Sequence, residues 1–299
     1  MARVLLTGAA GFTGRYLAPV LAERGHDVHG LLHLPEQEPI PGVTDCYVAD
    51  LYDLRALSRV VEEVRPNYVV HLAAISFVAH GDVEQIYRTN VVGTRQLLEA
   101  LTSIPIAPSS VLLASSANVY GNAREGVLDE TVPLAPANDY AVSKLAMEYV
   151  AKLYSSRLPI VVVRPFNYTG LGQDPNFLLP KIVAHARQGA RNIELGNLDV
   201  ARDFSDVRTV VDAYARLLET PAAIGETYNV CSGQAISLKS LLELVSRLSG
   251  HELEVKVNPA LVRANEVRTL SGSADKLESI IGPLKGVPLE ETLSWMLQA

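Results

Sequence analysis

The sequence predicts an α/β fold, a doubly wound parallel sheet continued by a smaller C-terminal α/β domain. Three observations predict it. Short apolar runs rich in Val and Leu, such as "RVLLT" from Arg3 and "PIVVVRP" from Pro159, lack polar alternation, as strands buried on both faces do. Helical patterns alternate with these runs through the first half of the chain. Finally, "TGAAGFTGRYL" sets Gly8, Gly11 and Gly14 between the first strand and the first helix.

The elements follow in order. "RVLLT" leads into a helix pattern through Ala18, Leu21 and Ala22. "DVHGLL" from Asp27 and "DCYVAD" from Asp45 give the next two strands, and "LRALSRVVEEV" gives a helix. "NYVVHLAA" from Asn67 precedes a long helix over 82–101. "SSVLLASS" from Ser109, a helix in "NDYAVSKLAMEY" and "PIVVVRP" complete the alternation. Right-handed crossovers then wind helices onto both faces of the sheet. After Pro165 the rhythm changes: "FNYTGLGQDPNF" is rich in Gly, Asn and Pro and reads as a loop. Helices are predicted over 178–188, 207–220, 237–248 and 289–297, with short strands between them. Residues 1–166 make the first domain, to which the chain returns over 204–231; 167–203 and 232–299 make the second.

Composition excludes several classes. Across 299 residues, 48% are hydrophobic and 20% charged, which supports a sizeable core and argues against disorder. The net charge of −7 would repel polyanions over most of the surface, so neither nucleic acid nor anionic lipid is an expected partner. Cys46 and Cys231 have no metal-ligand spacing and read as small buried hydrophobes; no metal is expected. The N-terminal "MARVLLTGAAG" reads as a strand and a turn rather than a signal peptide, and no apolar run is long enough to span a bilayer. A cytoplasmic location is the expectation.

Glycines at a strand–helix junction permit a tight turn and close approach of backbone to a pyrophosphate at the helix N-terminus. The G-x-x-G-x-x-G spacing, at the chain start and within a βαβ pattern, therefore predicts a dinucleotide site on a Rossmann-like sheet. A carboxylate at the tip of the second strand would hold a ribose 2′-hydroxyl and favour NAD. Leu32 and His33 stand there instead, so the reading favours NADP(H) over NAD(H), with His33 near the adenosine end. Asp50 in "ADLYD" is a candidate adenine contact or a helix N-cap.

Tyr140 and Lys144 in "NDYAVSKLAMEY" lie four positions apart, on one face of the predicted helix. Alone, the pair is either a proton donor beside a cation or an ordinary surface pair. Other motifs accompany it in a fixed order: "TGAAGFTG", "HLAA" (71–74), "TNVVGT" (89–94), "SSANVYG" (115–121), "RPFNYTGLGQ" (164–173) and "RDFSDV" (202–207). Together they cover most of the chain. The sequence thereby resembles the extended short-chain dehydrogenase/reductase family, in the branch acting on nucleotide-diphosphate sugars.

The resemblance implies roles. Tyr140 exchanges a proton with a sugar oxygen, Ser116 hydrogen-bonds the same oxygen, and Lys144 binds the nicotinamide ribose and holds Tyr140 at a lowered pKa. Asn90 supports the site from the neighbouring helix. Coenzyme contacts are implied for Gly8, Gly11, Phe12, Thr13, Gly14, His33, Asp50, Leu51, Leu72, Ala73, Ala74, Asn90, Ser115, Tyr140 and Lys144. For the nucleotide sugar they are implied for Ser116, Asn167, Lys181, Arg202, Arg263 and Glu266, the cations facing the diphosphate. Related dehydratases carry an acid two positions after the catalytic hydroxyl residue; Asn118 stands there, and an amide cannot serve as that acid. The C-terminal half is most similar to reductases of a GDP-4-keto-6-deoxy-hexose, forming GDP-D-rhamnose. The alternatives are a 4-epimerase with tightly held NAD and a non-catalytic dinucleotide sensor. Where the family pattern has "NHxGPGQ", this chain has "NYTGLGQ", which sets Tyr168 and Leu171 apart. Related enzymes also imply a homodimer.

Overall fold

The computed structural model describes residues 1–76, 81–121, 126–262 and 267–299. The chain runs through β1 (Arg3–Thr7), α1 (Phe12–Glu23), β2 (Asp27–Leu32), β3 (Asp45–Val48), α2 (Leu54–Val64) and β4 (Tyr68–His71). A short α3 (Val83–Tyr87) passes through a π-helical turn (Arg88–Gly93) into α4 (Thr94–Ser103). Then come β5 (Ser110–Ala114), β6 (Gly126–Leu128), α5 (Asp139–Tyr154), β7 (Ile160–Pro165) and β8 (Asn167–Thr169). α6 (Leu178–Arg187), β9 (Asn192–Leu195), β10 (Ala201–Asp206), α7 (Val207–Leu218) and β11 (Thr227–Val230) follow. The chain ends with β12 (Ala235–Ser237), α8 (Leu238–Ser249), β13 (Glu254–Val257), β14 (Thr269–Gly272), α9 (Asp275–Ile281) and α10 (Leu289–Gln298).

Seven parallel strands form the main sheet, in the order β3-β2-β1-β4-β5-β7-β11. Strand residues alternate between its faces. Val4, Leu6, Val161 and Val163 pack under α1 and α7, whereas Leu5, Val162, Val69 and Leu113 pack under α2, α4 and α5. Both faces are therefore core, which is why the strands carry so few polar residues. The chain reverses its direction of travel across the sheet between β1 and β4. The loops after Thr7 and His71 leave from that crevice, where doubly wound sheets bind ligands.

A second sheet runs β12-β10-β14-β6, with β8 pairing in parallel with β10. α6, α8 and α10 pack around Leu179, Ile182, Leu241, Val245, Leu293 and Met296 to give a separate core. No helix among the described residues is long and apolar enough to cross a membrane.

Several expectations are corrected. The predicted loop after Pro165 contains β8, whose partner β10 lies far along the chain, so its Gly/Asn/Pro content misled. The long helix over 82–101 is broken by its π-turn, where Gly93 faces Leu51 so closely that an added Cβ would lie 2.9 Å from the Leu51 Cβ. Cys46 is exposed on the edge strand β3, while Cys231 is buried as expected. Asp50 is not a helix cap: it accepts a hydrogen bond from the Tyr52 amide at 2.9 Å, and Asp53 caps α2.

Candidate active site

The glycine loop is built for a close neighbour. Gly8 has φ of +72°, and a Cβ there would sit 2.8 Å from the Ala73 amide nitrogen. A Cβ on Gly14 would collide with the carbonyl of Gly8. Gly11 caps α1 without a side chain, so no side-chain acceptor occupies the amides of the first turn. This cradle of backbone donors, with the positive end of a helix behind it, fits a pyrophosphate. Leu72 and Ala73, two of the residues expected to contact coenzyme, lie on the adjacent loop after β4. Leu72 donates its amide to the Thr7 carbonyl at 3.2 Å, and the Ala73 amide donates to Thr7 Oγ1 at 3.2 Å. His33 is exposed just beyond the end of β2.

Behind the loop a hydrogen-bond chain fixes His71. Its Nδ1 lies 2.7 Å from Thr7 Oγ1 and its Nε2 lies 2.9 Å from Thr94 Oγ1. Thr94 gives its own proton to the Asn90 carbonyl at 2.8 Å, so Nε2 donates to Thr94 and Nδ1 accepts from Thr7. Burial holds the imidazole neutral, with its pKa pushed down to about 3, and Lys144 adds to that shift. Asn90 sits in the π-turn and bonds both backbone groups of Ile75, at 2.9 and 3.0 Å, and Ser143 Oγ at 3.0 Å. Ser143 in turn donates to the Tyr140 carbonyl at 2.7 Å. Asn90 therefore ties the loop after β4 to the first turn of α5.

β5 ends at Ala114 and delivers Ser115 and Ser116 to the same edge. Asn138 caps α5, accepting from the Ala141 amide at 2.9 Å, which starts the helix so that Tyr140, Lys144 and Glu148 share one face. Tyr140 and Lys144 are 7% and 4% exposed, which rules out the ordinary surface pair. Lys144 Nζ donates to the Ala114 carbonyl at 2.7 Å and lies 6.0 Å from the centre of the Tyr140 ring. Burial drives the Lys144 pKa down to about 8, and Glu148 opposes that shift. Burial also pushes the Tyr140 phenol above its ordinary range; a hydrogen bond with Ser116 offsets part of this, and Tyr168 adds to it. The lowered phenol pKa expected from Lys144 is therefore not what the structure gives, because desolvation of the buried phenol dominates.

The Glu148–Arg164 pair that stands behind Lys144 was not among the expected site residues. Ser115 Oγ donates to Glu148 at 2.5 Å, and Arg164 clasps both Glu148 oxygens at 2.9 and 2.7 Å. Arg164 also donates to the Tyr120 hydroxyl at 3.0 Å, which donates to Asn229 at 2.7 Å. The available signal was an acid one helical turn after the lysine in "SKLAME". Tyr168, one of the departures from the family pattern, stacks on Phe12 at 6.1 Å and shares a 2.8 Å hydrogen bond with Thr13.

Among the candidate substrate residues, Asn167 and Arg202 are brought together by the paired strands β8 and β10, and Asn167 Nδ2 bonds the Asp203 carbonyl at 3.1 Å. Arg202 Nη1 reaches the Ala201 and Arg268 carbonyls at 2.8 and 3.1 Å. Lys181 lies on α6 and donates to the Glu194 carbonyl at 2.8 Å. Arg263 and Glu266 lie outside the described residues.

The family model described as GDP-mannose 4,6 dehydratase matches residues 5–296. A GDP-6-deoxy-D-talose 4-dehydrogenase of Aggregatibacter actinomycetemcomitans is 34% identical, over 94% of this chain and 91% of its own. A GDP-6-deoxy-D-mannose reductase of Pseudomonas aeruginosa is 34% identical, over 99% and 96%. Among solved structures, a Burkholderia cenocepacia protein provisionally assigned as an epimerase is 52% identical, with a TM-score of 0.92 over 99% of this chain and 97% of its own. RMD from Pseudomonas aeruginosa, solved with NADPH, is 31% identical, with a TM-score of 0.83 over 100% and 98%. With a family model spanning nearly its whole length, the chain belongs to the GDP-mannose 4,6-dehydratase family of extended short-chain dehydrogenase/reductases.

Proposed function

We propose that this protein is an NAD(P)H-dependent oxidoreductase that reduces the C4 keto group of a GDP-4-keto-6-deoxy-hexose, taking GDP-4-keto-6-deoxy-D-mannose to GDP-D-rhamnose. The observation that carries the reading is the convergence of Ser116, Tyr140 and Lys144 beside the glycine cradle, with an amide at position 118. The GDP-6-deoxy-D-mannose reductase relative supports the sugar and the reaction.

The nicotinamide supplies a hydride to C4 when bound. The chain's own residues do the rest. As C4 accepts hydride its oxygen gathers negative charge, which Ser116 and Tyr140 stabilise by hydrogen bonding. Tyr140 then gives up its phenolic proton to that oxygen. A phenol pushed above its ordinary pKa stays protonated at neutral pH, the form a reductase needs before transfer. Lys144 is a charged donor at the ribose side of the site. Asn167, Lys181 and Arg202 offer donors to the nucleotide diphosphate, with Arg263 and Glu266 proposed on sequence alone. We assign 1–166 with 204–231 to the dinucleotide domain and 167–203 with 232–299 to the nucleotide-sugar domain; β11 in the main sheet supports the return. NADP(H) is favoured over NAD(H), supported by the absence of an acid at positions 32 and 33 and by the NADPH of RMD. A cytoplasmic homodimer completes the proposal.

The test is direct. GDP-4-keto-6-deoxy-D-mannose is supplied with NADPH or NADH, coenzyme oxidation is followed by absorbance, and the product is resolved by NMR. 6-Deoxy-D-mannose and 6-deoxy-D-talose differ in configuration at C4, so the product identifies the face attacked. If neither coenzyme is oxidised, the reading is wrong. The Burkholderia relative motivates a second reading, a 4-epimerase. That enzyme would retain stoichiometric NAD through dialysis, and a reductase would not.

A further inference from the structure

Tyr168 departs from the family pattern, and no role described above uses its hydroxyl. Its backbone is fixed on β8, where it pairs with Ser205 of β10 and its carbonyl accepts from Gln173 Nε2 at 3.1 Å. The side chain reaches α1. Its ring stacks on Phe12 with the planes 14° apart, and its Oη lies 2.8 Å from Thr13 Oγ1. Phe12, Thr13 and Gly14 open α1 directly after Gly11, so their amides belong to the phosphate cradle. Tyr168 therefore touches the cradle itself.

Two hydroxyls that share a single hydrogen bond carry two protons, and the bond uses one of them. Neither Thr13 Oγ1 nor Tyr168 Oη has a second hydrogen bond among the described residues. The pair thus keeps one proton without an acceptor, beside a row of backbone donors. Burial raises the Tyr168 pKa, and the bond to Thr13 opposes that shift, so the phenol is a neutral donor at pH 7. The ionised oxygens of a pyrophosphate only accept. Bound at the cradle, they fix the direction in which both hydroxyls point.

We propose that Tyr168 is a positioning residue for the coenzyme pyrophosphate: its hydroxyl donates to Thr13 Oγ1, so that the Thr13 hydroxyl donates to a phosphate oxygen. Thr13 is the member of the pair that stands on the helix opening onto the phosphates. Without the phenol, its hydroxyl can turn back and donate to a carbonyl of the preceding turn, a bond open to threonine in helices. With the phenol donating to it, the threonine oxygen is polarised and becomes a stronger donor in turn. The inference rests on the dinucleotide reading of the cradle and not on the reductase reaction.

Tyr168→Phe keeps the stacked ring and removes the hydroxyl, and Thr13→Val keeps the shape of the threonine. Both are compared with the double variant in fluorescence titrations with NADPH and NADH, without substrate. Thr13→Val should raise the coenzyme Kd by about tenfold or more, the worth of a hydrogen bond to a charged group. Tyr168→Phe should raise it by about threefold to tenfold, the range for a neutral hydrogen bond. In the Thr13→Val background, Tyr168→Phe should change it by less than about twofold, because the phenol acts through Thr13. A loss of full size there would mean that the phenol meets the ligand directly and would overturn the proposal. A wild-type Kd in Tyr168→Phe would overturn it as well.

A second readout separates positioning from a purely structural contact. The phosphorus NMR resonances of the pyrophosphate in bound NADP+ respond to its hydrogen bonds. Thr13→Val and Tyr168→Phe should displace them in the same direction. Resonances left in place by Tyr168→Phe would mean that the phenol only holds β8 on α1, and the proposal would fall. Coenzyme binding without turnover in the wild type would remove the reductase reading alone, and these titrations would still decide the role of Tyr168.

Discussion

Tyr140 is a buried phenol with one neutral donor beside it and a cation a helical turn away. Removing its hydroxyl takes away the proton but little volume. Tyr140→Phe should therefore cut kcat by about 10²–10⁴-fold, the usual worth of a general acid, while the Kd for coenzyme stays near wild type. Steady-state rates with coenzyme titrations check both. Lys144 carries the opposite kind of cost. Its folded pKa is about 8 against an ordinary 10.5, so the fold disfavours its charged form. Below pH 8 the penalty is fully present; it fades as pH rises from 8 toward 10.5, where the unfolded chain still holds the proton. Lys144→Met should thus stabilise the protein by about 1–2 kcal/mol at pH 7, after allowing for the lost bond to Ala114, while activity falls. Urea unfolding at pH 7 and pH 10 checks it, with a smaller gain expected at pH 10. The Tyr140/Lys144 pair was legible in the sequence because helical spacing alone brings the two together. The donation from Asn118 to Ser116 was not, since it depends on a short turn folding the amide back over the hydroxyl.

Between elements, α5 and β7 are joined by a buried ion pair, Glu148 with Arg164. Arg164 is further anchored through Tyr120 to Asn229 on β11. A guanidinium buried in that position would keep only the neutral Tyr120 hydroxyl as a side-chain partner, with its charge uncompensated. Glu148→Ala should destabilise the fold by about 3–5 kcal/mol, whereas replacing both partners with apolar residues of similar size should cost less. Chemical denaturation of the single and double variants separates the two. The main sheet was legible strand by strand, because burial on both faces leaves continuous apolar runs such as "VLLA" and "IVVV". β8 was not, because three residues of "NYT" acquire strand geometry only from β10.

At the scale of the molecule, α1 serves both halves. Phe12 and Thr13 meet Tyr168, Tyr16 donates to the Leu171 carbonyl at 2.7 Å, and Tyr16 packs edge-on against Trp295 of α10 at 6.0 Å. The helix that presents the phosphate cradle thus also holds β8, the loop after it and the C-terminal helix. Coenzyme at about 100 times its Kd should raise stability by about 2.7 kcal/mol, and calorimetry should record that as an upward shift of one transition for the whole chain. Two transitions, with only one responding, would show that the halves melt apart. The doubly wound half was readable because its signals are local, whereas the C-terminal half depends on contacts between distant segments. The π-turn before α4 adds a constraint on the gene. It accommodates one residue more than a regular helix would, and α4 is phased to it, with Leu97, Leu98 and Leu101 facing the core. A single-codon deletion there would let the helix wind regularly and leave the leucines facing the core, whereas one further inserted residue would rotate everything after it by about 100° and turn them toward solvent. This stretch should therefore tolerate the loss of one residue far better than the gain of one.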